Sequence, residues 1–324
     1  MIFDNFFKVY LSLKVYKNDI YIYIMEDLKK KLLKLGYNII DKKYFDRGGH
    51  GQLFKCKNNK TGEICALKVE KKKDKYESTL LNEMKIYGKI VGNEKKGIPK
   101  IYDLGKSNDH YFIIMKLYHK NIDDLKNDAG SSFSLRTTLQ LGLNIFKILE
   151  RLHKQNIIHR DIKPENIMVD KKNNVYLIDY GLAKKFTDLN NAKLFKKECS
   201  KSRCGTVRYM SIGCHQKTRL SRKDDLLSLG YVLIYLYVGN LPWQGLDISD
   251  RKEKDSAVSE IKQYYGYTKL CKTLPKFFTN YFKELEKLSQ SDKPDYNKLK
   301  YFFKKELNVE SFSQNIDYDW SVNE

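Results

Sequence analysis

No apolar run in this sequence approaches the roughly 18 uncharged residues that a membrane helix needs, so no transmembrane span is expected. Its 18 glycines follow no regular period, which excludes a collagen-like chain. None of the six cysteines (56, 65, 199, 204, 214 and 271) forms a C-x-x-C pair. Cys199 and Cys204 lie five apart but have no histidine at a matching distance, so reduced thiols of a cytosolic or nuclear protein are expected rather than a zinc site. The N-terminal stretch MIFDNFFKVYLSLKVYKNDIYIYIMED is apolar and aromatic. Asp4, Lys8, Lys14, Lys17 and Asp19 interrupt it, and no small-residue cleavage pattern follows, so no secretory signal is expected. No internal repeat is visible. Acidic residues are in deficit: 40 Asp and Glu against 61 Lys and Arg give a formal charge of +21.

That charge favours acidic partners: nucleic acid, anionic lipid, or acidic and phosphorylated protein. Heavy use of Lys, Asn, Ile and Tyr also fits a compositional bias with no binding role. Hydrophobic residues at 41% and aromatics at 13% argue against global disorder. At about 150 residues per domain, 324 residues give two domains or one bilobal domain.

Residues 37–70 read as strands. In GQLFKCKN, Phe54 and Cys56 share one face and Lys55 and Lys57 the other. Turn residues 58–62 and the apolar run 64–67 complete a hairpin pattern. Residues 76–90 have helical spacing, with Leu80, Met84 and Tyr87 on one stripe and Glu83 and Lys85 off it. Residues 101–104 and 111–118 are two further strands. Beyond 118 the pattern turns helical. Ser134 is placed to cap a helix with the stripe Leu135, Leu139, Leu143, Phe146, Leu149 and His153. Short strands are expected at 167–169 and 175–178. Ser221 to Asp224 forms a capping box before DLLSLGYVLIYLYVG, apolar on nearly every side and therefore expected to be buried, with Pro242 as its terminator.

Three segments carry chemistry: CALK (65–68) with Glu83 in the helix that follows, HRDIKPEN (159–166), and IDYG (178–181). Phosphoryl transfer from ATP needs cations on the phosphates, metal ligands and a carboxylate beside the attacking hydroxyl. Asp161 suits the carboxylate and Lys163 the γ-phosphate. Asn166 and Asp179 offer the hard oxygens Mg2+ prefers. Lys68, steered by Glu83, suits the α- and β-phosphates.

In order and spacing these segments resemble the eukaryotic protein kinases. CGTVRYMSI (204–212), SRKDDLLSLGYVLIYLYVGNLPWQGL (221–246), DKPDY (292–296) and Asp319-Trp320 resemble, more finely, the casein kinase I family. Ser211-Ile212-Gly213 stands where most kinases carry Ala-Pro-Glu. Tyr180 within IDYG is shared with the sister vaccinia-related kinases, whereas Arg160 is retained as in casein kinase I.

The resemblance implies an α+β, bilobal protein kinase fold. Its N-lobe (25–118) would hold a five-stranded antiparallel sheet plus one helix, and its C-lobe (119–324) would be mainly helical. Residues 1–24 would form an N-terminal extension, with Met25 a natural start. The implied activity is a monomeric, constitutively active serine/threonine kinase using ATP and Mg2+ inside the cell, on acidic or phosphorylated protein substrates. The alternatives are a pseudokinase-like scaffold, or a vaccinia-related-type kinase acting on a nucleic-acid-associated protein.

The resemblance also implies a phosphate-covering loop of Asp46, Arg47, Gly48, Gly49, His50 and Gly51. Asp46 replaces the first glycine of the family pattern, and its like charge is expected to weaken nucleotide binding. Leu53 and Ala66 would cover adenine and Met115 would be the gatekeeper. Lys116 and Tyr118 would meet the base through their backbone. Asp124 would meet the ribose, with a helix cap shared with Asp123 as its other reading. Thr206 would bond Asp161 and Lys163, and with Lys163 mark Ser/Thr choice. Arg208 and Lys254, with Arg251 and Lys252 nearby, would bind the substrate's anionic group.

Overall fold

The computed structural model describes residues 26–40, 46–48, 51–72, 78–90, 96–186, 205–308 and 318–320. Two compact units divide the chain, one within Met1–Met84 and Lys100–Leu117, the other within Lys85–Pro99 and Tyr118–Glu324.

The first unit begins with helix α1 (Glu26–Lys34), which stands ahead of the sheet and adds to the helix expected after the third strand. Its acidic first turn and basic last turn suit the helix dipole, and Leu28 and Leu32, one turn apart, are buried. The strands are β1 (Tyr37–Ile39), β2 (Asp46–Gly48), β3 (Gly51–Asn58), β4 (Ile64–Lys71), β5 (Ile101–Lys106) and β6 (His110–Lys116). All pairings are antiparallel, in the order β1-β3-β4-β6-β5. β2 also pairs with β3, at the other end from β1, so the two share one edge and the sheet is five positions wide. The alternation in β3 buries Phe54 and Cys56 against Leu28, Leu67, Phe112 and Ile114. The β3–β4 turn closes because the Asn58 side chain accepts from the N–H groups of Lys60 and Thr61, and Gly62 takes φ 74.

Cys56 and Cys65 face each other in register across β3 and β4. Burial, then the neighbouring Cys65, pushes the Cys56 thiol up to about 12. Cys214 and Cys271 are likewise buried and reduced. The Cys199 and Cys204 spacing lies outside the described residues.

The second unit holds β7 (Lys120–Asn121), α3 (Ile122–Asp128), α4 (Leu135–Lys154), β8 (Ile157–Ile158), β9 (Ile167–Val169), β10 (Val175–Leu177), β11 (Lys184–Lys185), α5 (Ile212–His215), α6 (Arg222–Val238), α7 (Arg251–Leu270), α8 (Lys276–Glu286) and α9 (Tyr296–Leu307). Ser134 caps α4 by accepting from the Thr137 N–H at 3.2 Å. Asp319 braces that end, accepting from the Ser134 hydroxyl at 2.7 Å and the Thr137 hydroxyl at 2.8 Å. Asp295 caps α9. Tyr296, next in the chain, reaches the buried His153 at 2.8 Å. The capping box of Ser221 and Asp224 starts α6, which is buried from Asp224 to Leu236. Gly239, at φ 94, ends that helix by donating to the Tyr235 carbonyl, three residues before the expected terminator Pro242. No helix among the described residues is long and apolar enough to cross a membrane.

Candidate active site

In the first unit, strand periodicity sets Lys68 and Glu70 on one face of β4. Glu70 accepts from the Thr79 hydroxyl at 2.9 Å and the Leu80 N–H at 2.7 Å, while Ser78 accepts from Leu81 at 3.0 Å. These bonds start helix α2 (Thr79–Tyr87) against the strand. One turn on, Glu83 accepts from Lys68 Nζ at 2.7 Å, with side-chain exposures of 1% and 10%. Off the apolar stripe, Glu83 is nevertheless buried, because the lysine compensates its charge.

Of the loop residues, Asp46, Arg47 and Gly48 form β2, and Gly48 pairs with Gly51. Gly49 and His50 lie outside the described residues. Gly51 has φ 132, and a Cβ there would stand 2.6 Å from the Val69 carbonyl oxygen, so only glycine fits. Leu53 pairs with Lys68, and Ala66 with the buried Met115. The Lys116 N–H donates to Lys100 at 2.9 Å.

In the second unit, the ladder Ile167↔Leu177 of β9 and β10 is extended by Ile178 donating to the Asn166 carbonyl at 2.9 Å. This brings Asn166 and Asp179 to the same end of one hairpin. Asn166 Nδ2 donates to the Asp161 carbonyl at 2.9 Å and lies 3.3 Å from Asp161 Oδ2. The amide is thereby oriented with its oxygen as the remaining acceptor, the atom type a hard cation takes. Asp161 Oδ1 accepts from the backbone and hydroxyl of Thr206 at 2.9 and 2.8 Å. Lys163 Nζ stands 3.5 Å from Asp161 Oδ2. Arg160 and Asp179 both have positive φ, at 70 and 64. Such strain persists only where the surroundings over-determine it.

Asp225, fully buried on α6, supplies that constraint at Arg160. Its carboxylate accepts from the N–H groups of His159 and Arg160 at 2.7 and 2.8 Å and lies 3.0 Å from His153 Nε2. Burial alone would raise its pKa, but the His153 bond and the further donors hold it below the usual value. Its neighbour Asp224 is raised by burial. Arg160 also donates to the Leu182 carbonyl at 2.6 Å, and His159 Nε2 lies 3.1 Å from the Ile178 carbonyl. Tyr180 is buried edge-on to His159 at 4.9 Å and to Tyr87 at 5.2 Å. Gly205, at φ 103, closes on the loop; a Cβ there would stand 2.6 Å from the Arg160 carbonyl oxygen.

The Arg208 guanidinium lies 5.6 Å from the ring centroids of both Tyr209 and Tyr235. Burial opposes its charge, but a bond to the Tyr209 hydroxyl at 3.3 Å and the phenols around it raise its pKa. Lys254, with Arg251 and Lys252, is exposed at the start of α7. Asn121, not Asp123 or Asp124, caps α3. The exposed Asp124 returns the contact by accepting from the Asn121 amide at 2.7 Å, and Asp123 accepts from Tyr235. The Tyr118 ring packs on Tyr176 at 4.5 Å.

Sequence reasoning missed Asp225. Its only signal was a second acidic residue directly after the capping-box Asp224. Residues 41–308 match the family model described as the protein kinase domain.

Proposed function

This chain belongs to the protein kinase family, and from that premise we propose that it moves the γ-phosphate of ATP to Ser or Thr of acidic or phosphorylated proteins, in the manner of casein kinase I. The observation that carries the reading is Asp161, fixed by two Thr206 donors and flanked by Asn166 and Lys163. In this reading Asp161 orients the acceptor hydroxyl and takes its proton at Oδ2, and Lys163 holds the transferring phosphoryl oxygens. Lys68, kept in place by Glu83, holds the α- and β-phosphates. Mg2+, held by Asn166 and Asp179, would neutralise charge on the phosphates. The N-lobe comprises 25–118 and the C-lobe 119–324, with 1–24 an extension. The enzyme works as an intracellular monomer without an activating phosphorylation.

The anion preference is supported by the chemistry of Arg208, which stays cationic and presents a planar donor fork. It is also supported by Arg251, Lys252 and Lys254, cations crowded in the first turn of α7, where the helix dipole disfavours them. A positional peptide library is expected to select Asp, Glu or phosphoserine upstream of the acceptor. Arg208→Ala is expected to cut the preference for acidic over neutral peptides roughly tenfold, the scale of one charged hydrogen bond. Equal turnover of an acidic peptide and its neutral analogue by the unmodified enzyme at low salt would remove the specificity reading.

A further inference from the structure

Lys262 sits in α7 at 1% exposure. A buried ammonium is costly unless every proton finds an acceptor. Here Nζ donates to the carbonyls of Val207 at 2.8 Å and Met210 at 2.7 Å, and meets His215 Nε2 at 3.1 Å. The rings of Tyr231 and Trp243 each lie 5.1 Å from it. The Trp243 indole donates to the carbonyl of Arg208, between the two that Lys262 holds, at 2.8 Å. The carbonyls of 207, 208 and 210 are thus fastened from α7 and Trp243. The same strip begins at Thr206, which grips Asp161, and carries the Arg208 guanidinium on Tyr209 and Tyr235.

An apolar side chain would fill this place without the cost of desolvating a charge, but it would leave two buried carbonyls without their donor. The lysine therefore does something packing alone does not require. We infer that Lys262 is a positioning residue for substrate choice: it locks the strip 206–211 in the conformation that aims Arg208 at an anionic group of the acceptor protein. This rests on the kinase reading above and adds to it the group that sets the geometry of the anion contact.

The titratable groups facing Lys262 are His215 and Cys214 from α5 and Tyr231 from α6. Burial pulls the lysine down to about 7. The grip is therefore cationic below that value and weakens above it.

The test measures kcat and KM for an Asp- and Glu-rich peptide, its neutral analogue and ATP, using the full chain, Lys262→Met and Lys262→Arg. Lys262→Met is expected to raise the KM of the acidic peptide about tenfold and narrow the acidic-to-neutral ratio, with the ATP KM unchanged. Lys262→Arg, which keeps a cation, is expected to restore part of the ratio. A folded Lys262→Met enzyme with the original ratio overturns the inference, as does one that loses ground equally on both peptides and ATP. If Lys262→Met melts below the assay temperature, the unmodified enzyme decides. Its acidic-peptide KM is expected to rise between about pH 6.5 and about pH 8.5, where the peptide's own carboxylates stay ionised. A flat profile overturns the inference. Failure of the kinase reading would look different: the unmodified chain would phosphorylate neither peptide.

Discussion

Asp161→Asn is expected to lower kcat by about 10²- to 10⁴-fold, the span of a lost general base, with little change in thermal unfolding. The asparagine oxygen can still accept from the Thr206 N–H and hydroxyl, which meet a single carboxylate oxygen, so the local fold persists. What disappears is the negative oxygen that faces Asn166 and Lys163. Steady-state phosphorylation of an acidic peptide, run beside a calorimetric melt, separates the two effects. A mutant as fast as the unmodified enzyme would trace the signal to a contaminating kinase and leave standing a scaffold that binds without transferring phosphate.

Asp225→Ala is the largest expected loss of stability, about 3–5 kcal/mol, because three donors lose a buried charge together. Two of them are the N–H groups of His159 and Arg160, and Arg160 has a positive φ that this carboxylate holds in place. Activity should therefore fall with stability. The sign of the pH effect follows from the depressed pKa. The carboxylate contributes fully above the ordinary aspartate value of about 3.9, and that contribution is lost as pH falls through the lower folded value. Chemical denaturation from neutral pH into acid should show a steep acid limb for the unmodified chain. Asp225→Asn should be less stable at neutral pH, with a shallower limb. Identical limbs for the two would show that Asp225 is not a charged clamp.

Much of the fold was legible because its determinants are local. The alternation in β3, the Asn58 turn and the Ser134 and Ser221 caps each act within a few residues. The motif residues Asp161, Asn166 and Thr206 likewise come together among hydrogen-bonding partners. What could not be read depends on distant partners. Lys262 occupies a polar stretch of α7 and becomes a buried anchor only because the strip at 207–210 reaches it. The pairing of Glu83 with Lys68 was legible in the motif, but its burial was not: helical spacing put Glu83 off the apolar stripe, and it is buried because that lysine compensates its charge. His153 fitted an apolar stripe by spacing, and its actual neighbours are Asp225 and Tyr296. The α6 terminator was misplaced for another reason: Pro242 is the conspicuous residue, but the left-handed Gly239 ends the helix first.

The buried thiols have a practical consequence. Cys56 and Cys65 belong to one compact unit, and Cys214 and Cys271 to the other. A thiol buried away from solvent reacts with an alkylating reagent only when its surroundings open. Each unit thus carries its own pair of internal clocks. With Cys199 and Cys204 replaced by serine, the labelling rates of the two pairs would report whether the sheet and the helices breathe together or apart.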